Sequence, residues 1–377
     1  MVDLKDSREE IDRIDQQIVA LFERRMRVAQ DVAEYKRAIG KPVFDKEREE
    51  AKLLAVQGFC TNEFNAHAVR EVFKQLMSIS RRYQHILNDN SEGSGFSVLA
   101  GLPGTQDIRV VFFGVPGSYS EQAMEECFGG GVQSFSAATF HDVMSAVREG
   151  RADFGVLPIE NTTTGGIMDS YDLLVEFDNY IVGEHILKVD QALLGLPGAS
   201  LEGIRTVYSH AQGILQSRKF LKAHPWMRAV EEGSTAGCAR KVAQEGDLSQ
   251  AAIASVRAAE KYGLKVLAEK INYENQNATR FIIITNRREH LESADKVSIC
   301  FSLPHETGSL YNMLSNIIYN DLNMTKIESR PLSGRNFEYR FFVDFEGSLK
   351  QAAVQNTLAC IRAEALDMKI LGNYRTI

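Results

Sequence analysis

Between residues 11 and 35 apolar side chains return every three or four positions: Ile11, Ile14, Ile18, Leu21, Val28, Val32 and Tyr35, with Arg25 standing where another apolar residue is due. That spacing is the seam of an amphipathic helix. Run from residue 6 to residue 38, it would extend about 50 Å at 1.5 Å per residue, longer than a small domain is wide. Such a helix needs a partner, most simply a second copy of itself. Pro42 and Val43 break the pattern, and Asp45 can cap a second helix carrying Arg48 and Glu49. A third helix follows, with Val69, Phe73, Leu76, Ser80, Tyr83 and Leu87 on its inner stripe. Residues 88–107 (NDNSEGSGFSVLAGLPGTQD) are rich in Asn, Ser and Gly, lack periodicity and read as a linker.

From residue 108 the pattern changes. IRVVFFGV is a buried-strand run, and GSYSEQA after it is a tight turn entering a helix. The segments DFGVLPIENTTTGG, YIVGEHILKVDQALLG, TVYSHAQGILQSRKFL, STAGCARKVAQ, AAIASVRAAEKYGL and NATRFIIIT then alternate short strands with helices. This predicts an α/β unit with a mostly parallel sheet, in two lobes around a cleft. A charged run at 286–296 separates TRFIIIT from KVSICFSL, and beyond it the order strand, helix, strand, strand, helix, strand is that of a ferredoxin-like α+β module. The expected division is therefore multi-domain: an all-α module at 1–90, a two-lobed α/β module at 106–285 and an α+β module at 296–377.

Composition narrows the function. A length of 377 residues exceeds one ordinary core, and 44% hydrophobic with 25% charged residues is globular. A net charge of −7 gives no reason to expect nucleic acid or an anionic membrane as partner. Cys60, Cys127, Cys238, Cys300 and Cys360 are scattered without CxxC spacing, which argues against a disulfide framework or a thiolate zinc site and for a reducing compartment. The histidines show no HxH or HExxH and the carboxylates no paired motif, so no metal is expected; without GxGxxG or GxxxxGK[ST], no nucleotide cofactor is expected either. The opening MVDLKDSREEIDRID has no apolar h-region and no long apolar run follows, so the expected location is the cytoplasm.

A guanidinium on the buried seam is costly unless an anion meets it, so Arg25 is either paired within the protein or waiting for a ligand. Lys36, eleven positions on, lies about 20° around the helix and roughly 16 Å along it, so the two long side chains could grip the ends of one small diacid. Arg8 lies about 25 Å from Arg25 along the axis and cannot easily serve the same pocket, though in a dimer it could serve the partner's. Ser80 interrupts the inner stripe of the third helix, with Gln84 one turn further. Each of these residues alone is most simply a solvated or internally paired polar group. Together they point to a ligand. In the central region Ser118 and Ser120, with the free N–H groups of the helix they open, make a candidate anion seat.

In order and spacing, Arg8, Arg25, Lys36, Asp45, Arg48, Glu49, Ser80 and Gln84 resemble the active-site pattern of the all-helical chorismate mutases, intertwined dimers in which one chain lends an arginine to the other's site. The resemblance implies rearrangement of chorismate to prephenate without a covalent intermediate. Lys36 and Gln84 would stabilise the breaking ether oxygen and Glu49 would accept the substrate hydroxyl. Arg8, Arg25 and Arg48 would hold carboxylates, with Asp45 and Ser80 completing the site. GVPGSYS (114–120), PIEN (158–161), SHAQ (209–212), STA (234–236), AAIAS (251–255) and TRF (279–281) resemble the prephenate dehydratases. That resemblance makes Thr279 the catalytic threonine and Ser118, Ser120, Glu160, Asn161, Ser209, Gln212 and Arg280 substrate-binding candidates, Arg280 being equally a structural ion-pair partner. Ala211 stands where that family usually has proline, and Gly237 and Cys238 where an acidic-small pair is usual. HETGSL (305–310) and ESRP (328–331) resemble the ACT domains, though Ser309 replaces the usual alanine. They imply phenylalanine bound at a subunit interface by Gly308, Ser309, Leu310, Glu328, Ser329, Arg330 and Pro331; a purely structural dimer module is the blander reading. As a whole the chain resembles the bifunctional chorismate mutase/prephenate dehydratases of phenylalanine biosynthesis: a homodimer or higher oligomer, forming phenylpyruvate and inhibited by phenylalanine. An arogenate-preferring dehydratase and a non-catalytic phenylalanine-responsive binding protein stay open at this point.

Overall fold

The computed structural model describes residues 3–87, 95–102, 108–273, 276–332, 334–335 and 337–377. The N-terminal module is three helices: α1 (Leu4–Ala38), α2 (Lys46–Gln57) and α3 (Glu63–Leu87). Asp3 caps α1 by accepting from the Lys5 N–H, and Asp45 caps α2 by accepting from the Arg48 N–H at 3.2 Å. Near its C-terminal end α1 buries Ala29 and Ala33, but most of its seam is uncovered in the single chain: Ile11 is 56%, Ile18 57% and Leu21 64% exposed. The apolar stripe read from the spacing therefore exists, and none of the described residues closes over it.

The central module has two sheets. The first lobe contributes, in spatial order, Tyr180–Lys188, Ala278–Thr285, Phe154–Asn161, Arg109–Phe113 and Gln133–Ala137; the second is five-stranded, in the order Lys265–Ala268, Ala192–Gly195, Gln250–Ala254, Thr206–Ser209 and Arg228–Glu231. Val110, Val111, Phe112, Val156, Leu157, Ile282 and Ile283 are almost wholly buried, as expected of strands covered on both faces. The mostly parallel sheet expected from the strand-helix alternation is corrected to two mixed sheets. Arg109–Phe113 and Thr206–Ser209 are parallel to both neighbours, whereas Ala278–Thr285 and Ala192–Gly195 are antiparallel to both. The antiparallel strands are those where the chain passes directly from one lobe to the other and back, without the crossover helix that parallel neighbours require.

The C-terminal module follows the expected order: Lys296–Ser302, helix Ser309–Ile318, Met324–Pro331, Tyr339–Glu346, helix Ala352–Glu364 and Asp367–Tyr374. Its strands are mutually antiparallel, with Met324–Pro331 at the outer edge. Asp367–Tyr374 also meets the first lobe at Gly372 beside Ile181, so the two sheets run on as one ten-stranded sheet. Only glycine fits there, since a Cβ on Gly372 would lie 2.2 Å from the Ile181 carbonyl oxygen. Of the expected linker, residues 88–94 and 103–107 lie outside the described residues. Ser97–Leu99 within it is a strand, paired in parallel with Glu289–Leu291 of the second charged joint, so neither stretch is wholly irregular. Among the described residues no helix is long and apolar enough to cross a membrane.

Candidate active sites

All the polar residues expected to form the helical site except Arg8 line one cavity of about 440 Å³ between α1, α2 and α3: Arg25, Lys36, Asp45, Arg48, Glu49, Ser80 and Gln84. The helical arithmetic that placed Arg25 and Lys36 on one face is realised. Arg25 Nη1 donates to the Leu76 carbonyl at 2.9 Å and to the Ser80 hydroxyl, which itself donates to the Leu76 carbonyl. Ser80 thus holds Arg25 in place. Lys36 Nζ donates to the Val43 carbonyl at 2.5 Å and keeps two further protons to give. Partial burial lowers the pKa of both cations, opposed by Glu49 at Arg25 and by Asp45 at Lys36. They are half-desolvated cations incompletely compensated by the chain's own acids, as expected of a seat for an anion. Gln84 is 7% exposed and its Oε1 is buried without a hydrogen-bond partner.

Two of the expected residues stand apart from the rest. The Asp45 carboxylate is occupied by the α2 cap and by Lys41 at 2.9 Å, which together pull its pKa down. It therefore serves as cap and counter-charge while also lining the cavity. Arg8 is exposed and, about 25 Å before Arg25 along α1, is not among the residues lining the cavity of its own chain. Arg81, which the sequence did not single out, lines the cavity and donates to Glu49.

The second site is a cleft of about 480 Å³ between the lobes of the central module, where Asn161, Gln212 and Thr279 meet. Asn161 Nδ2 donates to Thr279 Oγ1 at 2.9 Å, while Asn161 Oδ1 accepts from the N–H and the hydroxyl of Thr163, which fixes the amide's orientation. The Thr279 oxygen is therefore an acceptor toward Asn161. No acceptor for its own proton is found among the described residues, so that proton is free to be donated. Beyond expectation, Tyr119, Thr164, Gln191, His210, Gln216, Ser234 and Thr235 also line the cleft. Gln191 Nε2 donates to Gln216 Oε1 and Gln216 Nε2 to Thr163 Oγ1, each at 3.2 Å, a neutral polar chain crossing between the lobes. Among the described residues that line it there is no lysine or arginine. The helices Ala211–Gln216 and Thr235–Glu245 begin at the cleft, at His210 and Ser234, and turn the positive ends of their dipoles toward it.

Ser118, Ser120, Glu160, Ser209 and Arg280 lie outside this cleft, each for an identifiable reason. Ser118 caps its helix, and the seat beside it is filled by Glu121, whose carboxylate accepts from the Gly117 N–H at 2.5 Å; Ser120 is buried. Ser209 is fully buried and donates to the Ile253 carbonyl at 2.8 Å. Successive residues of a strand face opposite ways. With Asn161 and Thr279 in the cleft, Glu160 and Arg280 face the C-terminal module. There Arg280 pairs with Glu160 at 3.1 Å, Glu184 at 3.2 Å and Asp344 at 3.1 Å, while Lys326 pairs with Glu160 at 2.9 Å. Burial alone would raise the pKa of Glu184, but the hydrogen bond and charge of Lys296, with Arg280, bring it below the ordinary value. Arg280→Met is expected to lower stability by about 3–5 kcal/mol, because it leaves buried carboxylates without their shared cation. Arg280→Lys should recover only part of this, lacking the fork. Denaturant unfolding checks both, and an unchanged midpoint for Arg280→Met would remove the structural role.

In the C-terminal module Gly308, at φ +83°, precedes the helix that begins with Ser309, and Ser309 and Leu310 line a hollow of about 130 Å³ with Glu338, Tyr339 and Phe341. Glu328, Ser329, Arg330 and Pro331 lie on the edge strand instead, where Arg330 forks onto Asp172 of the first lobe. One chain does not bring the two motifs into one hollow.

Two hollows suited to small anionic acids, one among helices and one between α/β lobes, define a bifunctional enzyme with separate active sites. Residues 7–85 match the family described as chorismate mutase type II and residues 110–289 the family described as prephenate dehydratase. The bifunctional chorismate mutase/prephenate dehydratase of Aquifex aeolicus is 32% identical over 99% of this chain and 98% of its own. Among solved structures, a protein described as a novel type of quorum-quenching acylase is similar at a TM-score of 0.66 and 31% identity, covering 71% of this chain and 98% of its own. The prephenate dehydratase of Arthrobacter aurescens in complex with L-Phe is similar at a TM-score of 0.66 and 28% identity, covering 71% of this chain and 90% of its own. The chain belongs to the bifunctional chorismate mutase/prephenate dehydratase family. It is an isomerase and a lyase of phenylalanine biosynthesis.

Proposed function

We propose that the helical cavity holds chorismate in its reactive conformer and that Lys36 and Gln84 meet the ether oxygen as its bond to carbon breaks. A pericyclic step needs no nucleophile, only orientation and donors aimed at developing charge. The observation that carries this reading is that a part-buried Lys36 shares the cavity with a buried Gln84 amide that has an unpaired end. The two ends of that amide exchange by rotation, so it can present N–H to the oxygen. Arg25 and Arg48 take carboxylates, and Glu49 takes the substrate hydroxyl.

Arg8 completes the cavity of a second copy, whose α1 covers the bare apolar seam. Mixing Arg8→Ala and Lys36→Met proteins, each inactive as a mutase, should restore about a quarter of wild-type mutase activity, because half of randomly paired symmetric dimers are hybrids and each hybrid has one intact site. Steady-state turnover of chorismate before and after subunit exchange measures it, and no recovery despite exchange would exclude a site shared between chains.

In the cleft, Thr279 gives its proton to the leaving hydroxyl of prephenate as the ring carboxylate departs. Prephenate and one proton become phenylpyruvate, water and carbon dioxide. Asn161 aims Thr279, and Gln212 with the two helix ends receives the carboxylates. The C-terminal module acts as an ACT domain that binds phenylalanine between two copies, bringing Gly308, Ser309 and Leu310 of one against Glu328, Ser329, Arg330 and Pro331 of the other. Lys326 lies on that edge strand and grips Glu160, next to Asn161, which gives the effector a mechanical route to the cleft. The enzyme works in the cytoplasm, where its cysteines stay reduced.

A further inference from the structure

Glu364 occupies the last turn of the helix Ala352–Glu364, where the helix dipole disfavours a carboxylate, and its side chain is only 14% exposed. A buried acid at the wrong end of a helix calls for a specific partner. That partner lies in another module. Arg81 of α3 donates to Glu364 through Nη2 at 2.9 Å and to Glu49 through Nη1. Its guanidinium also sits 5.0 Å from the centroid of the Phe44 ring, and its side chain is 12% exposed. Arg81 lines both the mutase cavity and a hollow of about 180 Å³ between the helical and C-terminal modules. The modules are fixed to each other around it: Lys46 pairs with Glu306 at 2.9 Å, Arg82 stacks 4.2 Å over Tyr319, and the Tyr319 hydroxyl donates to Gln75 at 2.6 Å.

We propose that the C-terminal module completes the mutase site of its own chain: Glu364 is a positioning residue that, by holding one end of Arg81, sets the Glu49 carboxylate at the substrate hydroxyl. The inference rests on the mutase reading of the helical cavity. With Glu364 taking Nη2, Arg81 engages only Oε2 of Glu49, and Oε1 is left for the substrate. Without Glu364 the freed guanidinium can close as a fork on both oxygens of Glu49, the geometry that arginine and carboxylate prefer. The substrate hydroxyl then loses its acceptor. Removing this acid also adds a net positive charge beside a pocket that already holds Arg25, Lys36 and Arg48. Chorismate, an anion, should therefore still bind, and the loss should fall on turnover.

The test uses the full chain, with chorismate turnover and dehydration of supplied prephenate measured separately. Glu364→Gln should lower the mutase kcat about tenfold with KM changed less than about twofold, a pattern of misplacement rather than lost binding. Dehydration should be unaffected. Glu364→Asp keeps the charge and should recover most of the mutase kcat, a rescue that a mere packing role would not give. The double variant Arg81→Met with Glu364→Met refills the buried volume without charge and leaves Glu49 unheld; it should fold and show a similar loss. Wild-type mutase kcat in Glu364→Gln or in the double variant overturns the proposal, as does equal loss in Glu364→Gln and Glu364→Asp. Absence of chorismate turnover in the wild type would instead sink the mutase reading itself.

Discussion

Lys36→Met should lower kcat/KM for chorismate by about 10³-fold, roughly 4 kcal/mol of transition-state stabilisation, the scale of removing one preorganised donor from developing negative charge. Methionine keeps the length and most of the apolar stem, so the change removes the ammonium rather than the packing. The buried carbonyl of Val43 loses its donor, at a cost of about 1–3 kcal/mol of stability that thermal unfolding would register separately. Dehydration of supplied prephenate should stay within about twofold of wild type, because the cleft lies in another module and shares no lining residue with the cavity. The pH profile supplies a second check. Burial lowers the Lys36 pKa, so the ammonium loses its proton at a lower pH than an ordinary lysine, and the mutase should fail early on the alkaline side. Lys36→Arg, which stays protonated, should move that failure upward even if its rate is low. A Lys36→Met enzyme retaining a third of wild-type kcat/KM would strip Lys36 of this role.

The two sites were legible in the sequence to different degrees, and helical and strand geometry explain the difference. On a helix, position fixes angle, so residue numbers suffice to place Arg25, Lys36, Ser80 and Gln84 on inner faces, and the cavity gathers them. Arg81 could not be found this way. On α3 it reads as an ordinary solvated cation, and its role appears only when Glu364, far along the chain, is laid against it. In the strands the motifs marked the right places without choosing between neighbours. Glu160 with Asn161, and Arg280 with Thr279, are adjacent residues that must face opposite sides. Spacing alone does not say which side is the cleft, and one member of each pair proves to belong to the junction with the C-terminal module. Gln191 and Gln216 were invisible for a third reason. They come from segments 25 residues apart that only the tertiary fold brings together, and neither carries a charge that would look misplaced on an apolar stripe.

The junction also gives the molecule a mechanical logic. Strand alternation means that the C-terminal module grips the reverse side of the very strands whose front faces carry Asn161 and Thr279. A displacement of Asp344 or Lys326 must pull on Arg280 or Glu160, and the adjacent residues move with the backbone. The charges that hold this junction together lie on the face away from the cleft, which is why a catalytic lesion is best made on the cleft side alone.

Thr279→Val is that lesion. It should cut dehydratase kcat by about 10²–10⁴-fold, the range for loss of a positioned proton donor. Valine replaces the hydroxyl by a methyl of similar size, and threonine to valine is disruptive mainly through the polar group it removes. That penalty is small at this position. The Asn161 amide keeps the Asn277 side chain at 2.9 Å and the Ala278 carbonyl at 3.1 Å as acceptors, so no buried donor is orphaned. The Arg280 pairs on the other face are untouched, and the unfolding midpoint should hardly change. KM for prephenate should rise little, since in the proposed reading the carboxylates go to Gln212 and the two helix ends rather than to Thr279. Thr279→Ser retains the hydroxyl without the methyl that restricts its rotamer, and should keep a substantial fraction of activity. Chorismate should still become prephenate in the Thr279→Val enzyme, and prephenate should accumulate where the wild type carries it on to phenylpyruvate. Phenylpyruvate formed at more than a third of the wild-type rate would mean that the proton comes from elsewhere in the cleft, where the His210 imidazole and the hydroxyls of Tyr119, Thr164, Ser234 and Thr235 are the other groups that could supply it.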